Sequence, residues 1–254
     1  MCLIGIAYKT HPQFELVIAA NRDEFHARPT AAAAWWSEAP DVFGGRDLSQ
    51  GGGWLALSRR RRLAAVTNVR RMQPPDPAAP SRGRLVADFV RGADRAADFA
   101  AALSAQADRY AGFNLLLWDG RDLMYATNQQ EFHSQDIAPG VHGISNAALD
   151  TPWPKLRRLN QRIADWTRRE GRDENTLFAE LGAEQPAADA ELPNTGVGLE
   201  LERFLSPPFI RGERYGTRAS SVLLIGASQA SFQERRYGPN GVALGETAED
   251  LRFY

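Results

Sequence analysis

Position 2 of this 254-residue chain is its one cysteine. The residue is small enough for an initiator methionine to be removed ahead of it, which would leave a free α-amine on the thiol-bearing residue. An unperturbed α-amine has a pKa of roughly 8, so near neutral pH it accepts a proton without help from histidine. The thiolate is a strong nucleophile, and an N-terminal amine activating its own side chain is a known route to covalent catalysis. The chemistry this allows is attack on a carbonyl carbon with the proton handled by the attacking residue itself. The competing use of a lone cysteine here is as a small apolar residue opening a buried strand. Retention of Met1 would remove the base.

A second cluster, Asn21, Arg22, Asp23 and Glu24, follows the apolar run Phe14 to Ala20. Read locally, four polar residues at a strand end form a turn that hydrogen-bonds itself. If the hairpin returns to residue 2, Asp23 accepts a hydrogen bond from the amine or orients the thiol. Asn68 closes Val66-Thr67-Asn68 and Asn146 closes Ile144-Ser145-Asn146. Their amides suit a developing oxyanion as well as they suit turns and caps. Gly51, Gly52 and Gly53 lack the Lys-Ser/Thr of a Walker loop and the helix-opening Gly-x-Gly-x-x-Gly, and read as a hairpin entry. His11, His26, His133 and His142 show no metal-ligand spacing, so no structural metal is expected. Trp35 and Trp36 read as core or surface anchors, with a pocket wall as the alternative.

The elements that must position these residues follow from periodicity. Cys2 to Tyr8 and Phe14 to Ala20 read as a hairpin, Trp54 to Ser58 and Leu63 to Val69 as a second around the charged turn Arg59 to Arg62, with a looping insert between the two. Pro74, Pro75, Pro77 and Pro80 mark an irregular connection. Arg82 to Tyr110 reads as two helices joined near Gly92. Asp119 and Gly120 turn a third hairpin between Phe113–Trp118 and Leu123–Thr127. Val141 to Ser145 is a short strand. Leu156, Leu159, Ile163 and Trp166 mark one face of a helix, Asp173 to Leu181 a further helix, and Glu200 to Leu205 a short one. Ser220 to Ile225 and Phe232 to Arg236 form a late hairpin. The order implies mostly antiparallel sheets covered by helices, in one α+β domain over residues 1–254.

Composition bounds the function. Thirty basic residues against 31 acidic ones leave a net charge of −1, with 43% hydrophobic and 24% charged residues. Bulk attraction to nucleic acid is therefore not expected. A single cysteine excludes an intramolecular disulfide framework and makes the reducing cytoplasm the default compartment. No apolar run approaches the roughly 18 residues needed to span a bilayer, and the start MCLIGIAYK lacks the basic and apolar regions of a signal peptide. The cations comprise 28 arginines and two lysines, Lys9 and Lys155, a bias that reads as compositional.

Several strings recur in order along nearly the whole chain: Met1-Cys2; Asn21-Arg22-Asp23-Glu24; Gly44-Gly45-Arg46-Asp47 leading to Gly53-Trp54; Thr67-Asn68; Gly112-Phe113-Asn114-Leu115-Leu116; Ser145-Asn146 before Leu149-Asp150-Thr151-Pro152-Trp153-Pro154-Lys155; and Tyr215-Gly216-Thr217-Arg218. Together they resemble the NRDE-motif family, also called the transport and Golgi organisation protein 2 family. More remotely, the chain is similar to N-terminal-nucleophile hydrolases of the choloylglycine and penicillin acylase type. That resemblance implies an αββα sandwich and a processed N-terminal cysteine. It also implies site roles for Cys2 (nucleophile), Asp23 (holding the amine), Asn68 and Asn146 (oxyanion pocket or substrate) and Arg218 (charge near Cys2), with Asn21, Arg22 and Glu24 supporting or binding substrate. Those hydrolases often carry an Arg-Asn-x-Asp string, whereas this chain has Ala20 at its first position.

Two functions follow. One is hydrolysis of an amide or related acyl bond by Cys2, with no cofactor required and a small-molecule acyl or amide substrate. The other, implied by the family, is non-catalytic binding and trafficking of haem, lipid or acyl-coenzyme A. The chain has no Cys-x-x-Cys-His or Cys-Pro pair, so a haem axial ligand would be an isolated His, Met, Tyr or Cys2. A scaffold role in secretory traffic gains no support from coiled-coil heptads or long linkers.

Overall fold

In the computed structural model, which describes residues 2–70, 76, 78–169 and 173–254, the opening apolar run forms β1 (Cys2–Tyr8), buried throughout. Its hairpin partner β2 (Leu16–Phe25) runs five residues past Ala20. The tetrad Asn21 to Glu24 is therefore strand rather than a turn after a strand. Strands β3 (Thr30–Trp36) and β4 (Ala39–Asp47) occupy the stretch read as a looping insert. Alanine-rich and polar segments have little strand preference of their own, so pairing decides them. Next come β5 (Gly53–Ser58) and β6 (Arg62–Asn68), joined by a basic turn in which Arg61 takes a left-handed φ of 58°. The helices α1 (Arg82–Arg91) and α2 (Ala96–Ser104) break at Gly92, as expected.

The third hairpin is β7 (Phe113–Trp118) and β8 (Leu123–Thr127), with Gly120 at φ 87°. After it, β9 (His133–Asp136) is exposed throughout, and no apolar alternation announces it. The chain continues through β10 (Gly140–Ile144), α3 (Pro154–Thr167), α4 (Asn175–Leu181), α5 (Leu199–Leu205), β11 (Tyr215–Ile225), β12 (Gln229–Tyr237) and β13 (Ala243–Arg252). The expectations that concern Met1, Pro74, Pro75 and Pro77 lie outside the described residues.

The chain divides into two compact units. The first, residues 1–27, 70–72 and 139–251, carries a sheet of order β10-β1-β2-β11-β12-β13. Leu156, Leu159, Ile163 and Trp166 of α3, with Leu177, Phe178 and Leu181 of α4, pack on Leu3, Ala7, Val17, Ala19, Val222 and Leu224. Two glycines permit that approach. Gly5 and Gly143 are cross-strand partners of β1 and β10. A Cβ on Gly5 would lie 2.9 Å from Leu159 Cδ2 and closer still to Ile163 Cδ1, and one on Gly143 would collide with Leu156 Cδ1.

The second unit, residues 28–69, 73–138 and 252–254, carries a sheet in chain order from β3 to β9. Leu85, Val86, Phe89 and Val90 of α1 and Ala96, Ala100 and Leu103 of α2 pack on Val42, Ala56, Ala64, Leu115, Leu117 and Ala126. Trp36 belongs to this core, its indole N–H donating to the Gly44 carbonyl at 3.0 Å. The three glycines Gly51 to Gly53 lead from β4 into β5, with Gly51 at φ 71°.

A candidate active site at the end of the first sheet

Register places the chemistry-bearing residues of the first unit. Cys2 pairs with Arg22 and Leu3 with Asn21 across β1 and β2, while β11 sets Thr217 opposite Asp23 and Ser220 opposite Asn21. Side chains alternate along a strand, and directly paired residues share a face. Cys2 and Arg22 thus project from one face. Asn21 and Asp23 project from the other, which Leu3 shows to be the face covered by the helices. The Asp23 carboxylate and the Cys2 thiol therefore do not share a face. The link between the two residues is through the backbone: the Asp23 amide favours the Cys2 thiolate and so opposes the effect of burial.

On the helix face the polar groups are tied down. Thr217 Oγ1 donates to Asp23 Oδ1 at 2.7 Å and accepts from the Ile210 N–H at 2.9 Å. Asn21 Nδ2 donates to the carbonyls of Leu181 (2.8 Å) and Pro208 (2.9 Å), and its Oδ1 accepts from Ser220 Oγ at 2.6 Å. The Tyr215 hydroxyl donates to the Asp23 carbonyl at 3.2 Å. Asn21 thus holds strand to loop.

Asn146 follows β10, the neighbour of β1, and is 1% exposed. Ser145 Oγ donates to the Cys2 carbonyl at 3.1 Å, and the Arg70 N–H donates to the Asn146 carbonyl at 2.9 Å. Arg218 sits at a register shift between Thr217 and Ala219, and its guanidinium donates to the carbonyls of Phe25 (3.0 Å) and His26 (3.3 Å). Glu24 lies 4.0 Å from the Arg22 guanidinium. Of the expected site residues, Cys2, Asn21, Arg22, Asp23, Glu24, Asn146 and Arg218 thus belong to one end of one sheet. Asn68 ends β6 in the second unit.

Burial dominates the electrostatics. It pushes the Cys2 thiol above its ordinary value; the Asp23 charge adds to this and Arg22 opposes it. Burial also raises Asp23, against the opposing pull of Lys155 and then the Thr217 hydroxyl and Arg22. Lys155, 2% exposed, is lowered by burial and partly restored by Asp23. Tyr215 is raised well above its ordinary value by burial, with Asp23, Cys2 and Glu24 adding to the effect. A thiol so held is protonated at rest and needs an adjacent base to become a nucleophile.

Sequence reasoning missed Lys155, Arg70, Glu202, Tyr215 and Thr217 as site residues. Arg70 Nη1 and Glu202 Oε2 form a buried ion pair at 2.5 Å, with the Arg70 guanidinium 4.7 Å over the Trp153 ring. Tyr215, Thr217 and Lys155 stood in recognised strings without a chemical signal of their own. Arg70 and Glu202 lie 132 residues apart and offered none. Among the described residues, no group of three or more His, Cys, Asp or Glu converges to hold a metal, and no helix is long and apolar enough to cross a membrane.

The architecture has counterparts among solved structures. An N-acylethanolamine-hydrolyzing acid amidase ortholog from Caenorhabditis elegans superposes with a TM-score of 0.55 at 10% identity, over 88% of this chain and 92% of that one. A mutant conjugated bile acid hydrolase from Clostridium perfringens gives 0.54 at 8% identity, over 99% and 92%. At such identities the likeness shows the fold alone, an α+β architecture with two antiparallel sheets and helices packed on them. In sequence, the bovine Transport and Golgi organization protein 2 homolog is 34% identical over 258 residues, covering 92% of each chain. Residues 1–239 match the model of the family described as Transport and Golgi organisation 2, and the chain belongs to that family.

Proposed function

We propose that this protein is a hydrolase-like member of its family whose Cys2, freed as the N-terminal residue, cleaves an amide or related acyl bond. The observation that carries the reading is the chain's one cysteine at the start of β1, paired with Arg22, whose positive charge favours its thiolate. The α-amine of Cys2 takes the thiol proton as the sulfur attacks the carbonyl carbon, and it returns that proton to the leaving nitrogen as the carbon–nitrogen bond breaks. Water, deprotonated by the same amine, then attacks the acyl-thioester and releases the acid and the thiol.

Asp23 holds the protonated amine. Its carboxylate projects from the opposite face to the thiol, so the amine rather than the sulfur is its partner in this scheme. The Asn146 amide stabilises the oxyanion. Loss of one such donor costs on the order of 10²–10³ in turnover. Arg22 and Arg218 supply positive charge, Asn21 holds the strand, and Glu24 sets the Arg22 guanidinium. A reducing compartment such as the cytoplasm keeps the sulfur as a thiol.

Intact mass of the purified protein tests the first step, and the expected mass lacks Met1. A panel of amides and acyl esters then tests turnover, which Cys2→Ala should abolish. A retained Met1, or full turnover by Cys2→Ala on a substrate so found, would overturn the mechanism. A saturable, stoichiometric Soret shift on haem titration, together with retained Met1, would establish the binding alternative instead.

A further inference from the structure

Twenty-eight of the thirty cations in this chain are arginine, yet a lysine occupies a buried position within electrostatic reach of Asp23 and Cys2. Lysine offers a compact ammonium that can give up its proton, whereas a guanidinium stays charged and is larger and planar. Lys155 also stands in the first turn of α3, directly after Pro154, where the helix dipole disfavours a cation. Its place is therefore not explained by the helix.

The hydrogen bonds around it lead through one segment of chain towards Asp23. Lys155 Nζ donates to the Leu205 carbonyl at 3.1 Å, its one hydrogen bond among the described residues, although an ammonium carries three donors. Three residues on, the Pro208 carbonyl accepts from Asn21; two further on, the Ile210 N–H donates to Thr217 Oγ1, which donates to Asp23 Oδ1. One short segment, Leu205 to Ile210, thus carries the partner of the ammonium and the partner of the hydroxyl that holds the carboxylate.

We propose that Lys155 is the counter-charge that keeps the buried Asp23 carboxylate ionised, and so a positioning residue for the Cys2 amine. Its consequence for catalysis rests on the reading of Cys2 as nucleophile; the charge pairing itself does not. The other ionisable groups whose charge reaches the pair are the N-terminal ammonium, Arg22 on β2, Cys2 on β1, Tyr215 on β11, Glu202 on α5 and Arg70. Burial raises Asp23 and lowers Lys155, and each charge opposes the shift of the other.

Two lysines make the test direct, because [¹³Cε]lysine NMR of the full chain yields resonances for the exposed Lys9 and for Lys155 alone. Asp23→Asn should lower the Lys155 midpoint by roughly one to three pH units, as loss of a near opposite charge does, and leave Lys9 unmoved. Conversely, Lys155→Met should produce a protonated-carboxyl infrared band at neutral pH that disappears in the double variant K155M/D23N. A Lys155 midpoint indifferent to Asp23→Asn, or no such band in Lys155→Met, overturns the proposal. Should a single variant fail to fold, the double variant, lacking both charges, is expected to fold, and its failure also overturns the pairing. A retained Met1 or absent turnover would defeat the hydrolase reading, whereas the response of the Lys155 midpoint to Asp23→Asn tests the charge pairing either way.

Discussion

Breaking the Arg70–Glu202 ion pair from one side should be far more damaging than removing both of its charges. The two side chains are 7% and 4% exposed, with nitrogen and oxygen 2.5 Å apart. Glu202 Oε1 also accepts from the Thr195 N–H at 2.9 Å and from Thr195 Oγ1 at 2.5 Å. Arg70→Met keeps an apolar stem against Trp153 but leaves the carboxylate with the Thr195 donors. Stranding one member of a buried pair costs about 3–5 kcal/mol, and the surviving donors argue for the lower end, about 3. For a chain of this size that is roughly 6–12 °C in Tm.

The double variant Arg70→Met with Glu202→Met buries no charge. It should lie closer to the parent than the sum of the singles, by a coupling of about 1.5 kcal/mol or more. Urea unfolding at neutral pH, with the m-value checked for constancy, measures all four proteins. If the single variants each lose less than about 1 kcal/mol, or if the losses simply add, the pair does not bear on stability as argued.

Two other outcomes are expected. Gly5→Ala should destabilise by about 1–3 kcal/mol, because its new Cβ collides with Leu159 and Ile163 under α3; a thermal melt equal to the parent's would show that the helix can move away. Asp119 accepts from the N–H groups of Ala96, Arg121 and Asp122 and from Arg95 Nε, all near 3 Å. Although burial pushes it upward, these donors hold it at about 2. A carboxylate so depressed stabilises the fold fully above its unfolded value near 3.9 and loses that contribution as pH falls through about 2. Discounted for the half-exposed Arg95, the effect is about 1 kcal/mol. Asp119→Ala should accordingly cost about that much at pH 7 and nearly nothing near pH 2 in urea melts, and a pH-independent cost would contradict this account.

Local patterning was enough for the elements whose own residues carry the signal. The hairpin around Asp119 and Gly120, the apolar face of α3 and the helix break at Gly92 were legible, because turn chemistry and a period of 3.6 are written within a few residues. The ordered strings from Met1-Cys2 to Thr217-Arg218 likewise pointed to the family and the fold. The insert after Phe25 was not legible as β3 and β4, since an alanine-rich stretch becomes strand through its partners. For the same reason Asn21 to Glu24 read as a turn: polar residues join a strand interior only when neighbours on both sides take their backbone bonds, and β11 lies almost two hundred residues away.

The candidate site divides in the same way. Cys2, Asp23, Asn146 and Arg218 were nameable from residue type and resemblance, but only strand register decided that the thiol and the Asp23 carboxylate leave the sheet on opposite faces. Burial of Lys155, and the meeting of Arg70 with Glu202, came from the tertiary structure alone. Charge pairing inside a protein depends on which groups lose water together, and that is a property of the packed chain rather than of any window along it.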